Sequence, residues 1–197
     1  MMLTEEYLKE NEKTVIANLS NKDFVIGPKH YQGRVRRIME FIVKNRTNNC
    51  KILDIGSGAY MPVHMGATHA CDITGISGDI LEKSGWKGSF RVASCDDLPY
   101  NEKEFDVAIC TEVLEHLPDL ETVERTFKEI ERVAHSWVVT TPKASKSGFR
   151  DKWNIEPTHK QFLTLEDIRG MVARSLPGIP CTFEEVEHYV FIMRVQP

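Results

Sequence analysis

A chain of 197 residues suits one domain with a small appendage, and 41% hydrophobic with 27% charged residues is ordinary for a globular core. No apolar run approaches the roughly 18 to 20 residues needed to span a bilayer, and a net charge of −4 gives no general reason to expect non-specific nucleic-acid binding. The five cysteines are odd in number and contain no C-x-x-C pair, which argues against a disulfide framework or a cysteine-only zinc site; the start, MMLTEEYLKENEK, is acidic and polar where a secretory leader is basic and then apolar, which points to a cytoplasmic protein.

In chain order, Leu3 to Leu19 reads as a first helix, and residues 1–30 as an N-terminal helical extension before the main domain, 31–197. Gly27 and Pro28 break the chain. Tyr31 to Lys44 is a second helix, with Val35, Ile38, Met39 and Ile42 at helical spacing. Lys51 to Ile55 is a short apolar run entering the turn Gly56-Ser-Gly58, as a buried strand would. Further strands are expected at Ala67 to Asp72, Phe90 to Ser94, Phe105 to Cys110 and Trp137 to Thr141. Cys71, Cys95 and Cys110 fall in or beside these runs and read as small buried hydrophobes, whereas Cys50 and Cys181 do not. A helix is expected over Leu120 to Val133, with Leu120, Val123, Phe127 and Ile130 as its core face and Asp119 as its cap. Thr164-Leu-Glu-Asp167 resembles a capping box and opens another helix. The tail, Thr182 to Val195, reads as two strands turning near Glu187 to Tyr189. Strands alternating with helices predict an α/β domain on a mostly parallel sheet, with the last strands antiparallel at one edge.

In such sheets ligands bind at the carboxyl ends of the strands, where the strand order reverses. Asp54, Gly56 and Gly58 stand there after the first strand, and glycines let a ligand approach the backbone closely. Asp72 ends the next strand, where an acid can accept hydrogen bonds from both ribose hydroxyls. A nicotinamide site fits less well, because the third glycine position of G-x-G-x-x-G holds Met61.

The ordered set Leu53-Asp-Ile-Gly-Ser-Gly58, Asp72, Asp97-Leu-Pro-Tyr100 and Phe105-Asp-Val-Ala-Ile-Cys-Thr-Glu-Val-Leu-Glu-His-Leu-Pro-Asp119 is similar to class I S-adenosylmethionine-dependent methyltransferases, those of type 11 in particular. The resemblance runs from about Tyr31 to the C-terminus and implies a Rossmann-like, seven-stranded sheet with helices on both faces and the last strand antiparallel. It implies that Gly56 and Gly58 line the methionine part of the cofactor, that Asp72 holds the ribose, that Ser94, Cys95 and Asp96 stand beside the adenine, and that Thr111 lies near the amino-acid end. Arg34 matches a helix arginine that in some relatives pairs with the cofactor carboxylate, as a bidentate guanidinium suits. Two departures stand out. Pro62 makes the helix after the first strand brief or irregular, and Ser94 occupies a position where the family usually has an acid.

Glu112, Glu115 and His116 stand at i, i+3 and i+4, the spacing that shares one face of a helical turn. With His159 from the loop after the fifth strand they make a four-ligand candidate for Mg²⁺, Mn²⁺, Fe²⁺ or Zn²⁺. This E-x-x-E-H cluster with a later histidine resembles two metal-using branches, the ubiquinone-pathway catechol O-methyltransferases and the small-RNA 3′-terminal 2′-O-methyltransferases. The same cluster is common in members with no established metal. Without a metal, His116 or His159 is the candidate general base.

The loop Pro142 to Leu163 carries Lys143, Lys146, Arg150, Lys152 and Lys160 with Phe149 and Trp153 interleaved; a solvated loop is the commoner meaning, and a grip on a nucleic-acid or phosphate-bearing substrate the sharper one. The expectation is O-methylation of a small-molecule acceptor at a ribose or phenol hydroxyl. The alternatives are an RNA 2′-O-methyltransferase and a non-catalytic cofactor-binding module on the same fold. No membrane partner is expected, and oligomeric state is not legible.

Overall fold

A computed structural model describes residues 29–46, 48–58, 65–144 and 158–196, with side chains from residue 33 onward. The elements are α1 (Lys29–Asn45), β1 (Ile52–Ile55), β2 (His69–Asp72), α2 (Gly75–Lys83), β3 (Ser89–Val92), β4 (Phe105–Thr111), a 3-10 turn (Leu114–His116), α3 (Leu120–Val133), β5 (Ala134–Pro142), α4 (Leu165–Ser175), β6 (Thr182–Val186) and β7 (Tyr189–Arg194). The seven strands form one sheet in the order β3-β2-β1-β4-β5-β7-β6. β1 to β5 are mutually parallel, and β7 runs antiparallel to both β5 and β6. The expected α/β architecture is therefore present. The order reverses between β1 and β4, which is where the glycine turn and the E-x-x-E-H segment leave the sheet.

The pleat sends alternate residues to opposite faces. On one face Ile52, Val107, Ile109, Val138, Phe191 and Met193 pack under α1 through Ile38, Phe41 and Ile42. On the other, Leu53, Ile55, Ala108, Cys110, Trp137, Val139 and Ile192 pack under Val123, Phe127 and Ile130 of α3 and Ile168 and Met171 of α4. Each large side chain so buried contributes about 1.5–3 kcal/mol, and together they fix the register on which the site depends. Cys71, Cys95 and Cys110 are buried free thiols, as expected. Leu120, expected on the α3 core face, is 48% exposed: helical spacing keeps it in line with 123, 127 and 130, and it stands at the first position of the helix.

The caps agree with the sequence. Asp119 accepts the Thr122 N–H at 2.7 Å, and Thr164 with Asp167 makes both bonds of a capping box. Helix α2 has no counterpart in the sequence reading; its Gly75 and Gly78 mask the Ile80-Leu81 face, and Gly78 is required because a Cβ there would stand 2.5 Å from the Phe90 ring. β3 ends at Val92, two residues short of Ser94, and β5 extends through Pro142. The expected helix Leu3 to Leu19, the N-terminal extension to residue 28, Met61, Pro62 and loop residues 145–157 lie outside the described residues. Among the described residues no helix is long and apolar enough to cross a membrane.

Candidate active site

On the β2 side of the switch point the site is made of backbone. Gly56 and Gly58 have φ of +66° and +54°, the left-handed region that glycine enters without a Cβ clash. The Gly56 and Ser57 N–H groups donate to the Cys71 carbonyl at 2.9 and 3.1 Å, tying the turn to β2. Asp72 then completes it, accepting the Gly58 N–H at 2.9 Å and the Thr74 N–H at 3.1 Å. Burial pushes the Asp72 carboxyl up and these N–H donors pull it down, the net direction being upward. A carboxylate offers about four acceptor sites, so the Gly58 and Thr74 N–H groups do not exhaust them, and the Ser77 hydroxyl and Ile73 N–H also act on this carboxyl. Among the described residues, a Cβ on Gly58 would meet nothing within 4 Å.

Asp54 lies beneath this turn, fully buried, and among the described residues neither carboxyl oxygen meets a donor. Burial first and the charge of Asp72 second hold its pKa well above the usual carboxylate range. The adenine-side residues are arranged differently. Asp96 Oδ2 accepts from Arg125 Nε and Nη2 at 3.0 and 2.9 Å, and Ser94 Oγ donates to Asp96 Oδ1. Cys95 is buried against the Thr126 hydroxyl at 3.3 Å, its thiol pushed up to about 12 by burial.

On the β5 side the site is made of side chains. Thr111 is the buried last residue of β4. Glu112 follows with φ +57°. Its Oε1 receives Arg34 Nη1 at 2.9 Å and Thr140 Oγ1 at 3.0 Å, and the Arg34 guanidinium stacks 4.8 Å above the Tyr189 ring. Glu115, in the 3-10 turn, is 1% exposed. Its Oε2 accepts from Thr141 Oγ1 at 3.0 Å, whereas among the described residues Oε1 has no donor. Burial, then the charge of Glu112, drives the Glu115 pKa well upward. His116 and His159 meet edge to face with centroids 4.8 Å apart. The returning loop is stitched on by Lys160 and Gln161 N–H groups donating to the Glu115 carbonyl at 2.7 and 2.9 Å.

Glu115, His116 and His159 thus present one ligand atom each within 4.8 Å of one another. Glu112 does not join them; its left-handed backbone takes it out of the turn and toward Arg34. Arg34 lies at this same edge, but its observed partner is Glu112. Lys143 pairs instead with Glu185, and Lys160 is exposed. The sequence reading missed Thr140, Thr141 and Tyr189. The Thr-Thr-Pro end of the fifth strand was the available signal for the first two, since strand ends at a switch point face the ligand.

Residues 53–136 match the methyltransferase domain family. That segment is a methyltransferase domain by its match, and the fold around it is the one S-adenosylmethionine-dependent methyltransferases have. The fold of the chain is similar to that of an S-adenosylmethionine-dependent methyltransferase from Clostridium acetobutylicum, at 13% identity, TM-score 0.65, over 95% of this chain and 99% of that one. It is also similar to an S-adenosylmethionine-dependent methyltransferase from Methanosarcina mazei, at 17% identity, TM-score 0.63, over 79% and 97%. A third similar structure, at 14% identity, TM-score 0.60, over 82% and 81%, is the [4+2]-cyclase SpnF, so the fold by itself does not dictate the acceptor. No curated protein matches the chain.

The residues present fit the cofactor. Among the described residues nothing fills the Cβ position of Gly58 and Asp54 is a buried acid without a donor, and the Asp72 carboxylate stands at the same turn.

Proposed function

We propose that this methyltransferase acts on an acceptor hydroxyl, of the phenol or ribose type, with a divalent cation held by Glu115, His116 and His159. The observation that supports this most is the meeting of three ligand atoms within 4.8 Å from two segments 43 residues apart. Ligand atoms on one ion at ~2.1 Å stand up to ~4.2 Å apart, so a small closure completes the set. The nearly unexposed Glu115 Oε1, without a donor among the described residues, fits a cation, because a buried carboxylate oxygen left unpaired is costly.

The chain prepares these ligands itself. A carbonyl only accepts, so in the His116 Nδ1 to Thr158 oxygen contact of 3.4 Å the proton sits on Nδ1, and Nε2 keeps the lone pair. Thr141 fixes the Glu115 carboxylate through Oε2, and the two N–H groups of residues 160 and 161 hold the loop that carries His159. Three protein ligands leave coordination positions for acceptor oxygens. The cofactor supplies an electrophilic methyl group, and a cation lowers the hydroxyl pKa and orients its oxygen. Gly56, Gly58 and Asp72 hold the cofactor from the other side of the switch point.

The test is Mn²⁺ calorimetry on the full chain and on His159→Ala, alongside S-adenosylhomocysteine calorimetry on both. His159→Ala is expected to weaken Mn²⁺ at least tenfold and to change S-adenosylhomocysteine affinity less than twofold. Wild-type protein that binds no Mn²⁺, or binds it equally well without His159, leaves His116 or His159 as an ordinary base and ends the metal reading.

A further inference from the structure

One face of α3 holds the segment that follows β3. Arg125, Glu129 and Arg132 stand at i, i+4 and i+7, so they share that face. Arg132 Nη2 and Nη1 donate to the Leu98 and Tyr100 carbonyls at 2.8 and 2.7 Å, and Glu129 Oε2 accepts the Leu98 N–H at 2.8 Å. Arg125 Nε and Nη2 both donate to Asp96 Oδ2, at 3.0 and 2.9 Å. Two bonds within α3 aim that guanidinium: Nη1 reaches Glu121 Oε1 at 3.0 Å, and Nη2 reaches Thr122 Oγ1 at 2.9 Å. The Asp97 N–H donates to the Ser94 carbonyl at 3.2 Å, which closes residues 94–97 into a turn.

That turn lies beside the acid at the end of β2. β3 flanks β2 on the side away from β1, and the Ala93 N–H donates to the Asp72 carbonyl at 2.9 Å. A nucleoside with its ribose on Asp72 and its tail at the glycine turn after β1 therefore sets its base against residues 93–96. Both oxygens of the Asp96 carboxylate are engaged there, Oδ2 by Arg125 and Oδ1 by Ser94 Oγ. A carboxylate paired with a guanidinium only accepts, so the hydrogen between Ser94 and Asp96 belongs to Ser94. A serine hydroxyl has one hydrogen and two lone pairs. With the hydrogen committed to Asp96, the half-buried Ser94 side chain offers a base only lone pairs. We propose that Arg125 and Asp96 are positioning residues for base selection: they hold the Ser94 hydroxyl as a fixed acceptor, so that the site takes a purine with a 6-amino donor and turns away one with a 6-oxo group. Two acceptors set face to face leave both unpaired, which is how a polar site rejects an analogue most strongly. The cation plays no part in this selection.

The experiment measures the dissociation constants of S-adenosylhomocysteine and S-inosylhomocysteine, whose bases carry a 6-amino and a 6-oxo group, by calorimetry on the full chain. The wild type is expected to prefer S-adenosylhomocysteine at least tenfold. In Asp96→Ala the Ser94 hydroxyl is free to turn and donate to the oxo group, so S-inosylhomocysteine is expected to tighten at least threefold while S-adenosylhomocysteine weakens. A residue that only supported the fold would weaken both alike. Arg125→Met is expected to shift the preference in the same direction, and Arg125→Lys, which keeps a cation on Asp96, to retain most of it. Ser94→Ala deletes the acceptor and leaves the α3 contacts in place, so it is expected to cut the preference at least threefold even where the other variants do not fold. A wild type without preference, a preference unchanged by Ser94→Ala, or an Asp96→Ala variant that weakens both nucleosides in proportion overturns the base selection. A wild type that binds neither nucleoside overturns the cofactor cradle with it.

Discussion

On the nucleoside side of the switch point, Asp72 grips two backbone N–H groups and the turn grips β2 through two more. On the acceptor side, Glu112, Glu115, His116 and His159 are held by side chains, by one loop carbonyl and by each other. Backbone donors cannot swing away, so the first half is a fixed cradle. Hydroxyls, a guanidinium and an imidazole can change partner, so the second half can be re-set by what binds. A methyltransferase needs both properties: a rigid seat for a constant cofactor, and an adjustable seat for the group that must be deprotonated beside it.

The largest expected effect breaks the fixed half. Asp72→Ala removes the acceptor of the Gly58 and Thr74 N–H groups, both at a buried site. Leaving two buried donors unpaired costs about 2–6 kcal/mol, at roughly 1–3 kcal/mol each. Urea unfolding should show that loss, and S-adenosylhomocysteine affinity should fall at least a hundredfold because the ribose contact goes with it. Asp72→Asn keeps acceptor oxygen and should recover part of the stability. A variant that unfolds like the wild type and still binds the cofactor normally would mean that the cradle is not held by Asp72.

Among the described residues, Asp54 is buried in the cradle with no donor on either carboxyl oxygen. Burial and Asp72 raise the folded-state pKa of Asp54 above its unfolded value near ~3.9. The folded chain therefore holds this proton more tightly. The stabilisation is fully present below the unfolded value and is lost as pH rises through the folded one. Relative to Asp54→Asn, cofactor-free wild type should lose stability as pH climbs from about 4 toward neutrality, by at most about 1.4 kcal/mol per pH unit. Unfolding curves of the two proteins at matched pH values test this; parallel profiles would show that Asp54 is ionised throughout or paired in solution.

The fixed half was also the legible half. Asp54, Gly56, Gly58 and Asp72 lie within 19 residues at strand ends, and their chemistry is local: glycine φ, a strand terminus, a carboxylate facing N–H groups. The strand positions and both helix caps were legible for the same reason, since period and cap residues act within a few positions, whereas the order of the strands in the sheet was not. In the adjustable half, spacing brought out Glu115 and His116 together with the distant His159, but it also predicted that Glu112 would share their face. That failed because i, i+3, i+4 reasoning assumes helical backbone, and Glu112 stands at φ +57° before a 3-10 turn begins. Arg34 was legible as a basic residue at the site; its partner was not, because α1 and β4 are brought together by a core contact between Ile38, Ile42 and Ile109 that no local pattern encodes. Tyr189 was invisible for the same reason, arriving from the antiparallel strand β7 at the far end of the chain.

The smallest expected effect is that of Gly58→Ala, set against Gly56→Ala at the seam between the halves. Both have positive φ, so either alanine costs about 1–2 kcal/mol in backbone strain. At Gly56 the new methyl also runs into Val113 Cγ2 at 2.4 Å, and forcing that apart adds about 1–3 kcal/mol of overpacking. Gly56→Ala should therefore lose about 2–5 kcal/mol in all and, because Val113 leads into the 3-10 turn that carries Glu115 and His116, should weaken Mn²⁺ as well as the cofactor. At Gly58 the methyl meets no atom of the described residues, so Gly58→Ala should lose about the strain alone. If the cofactor binds at this turn as proposed, S-adenosylhomocysteine should weaken at least tenfold while Mn²⁺ measured without cofactor stays within twofold. Paired unfolding and calorimetry on the two variants read the seam directly. Equal stability losses would mean that Val113 yields freely, and a Gly58→Ala variant with normal cofactor affinity would show that the ligand does not approach the turn where its missing Cβ leaves room.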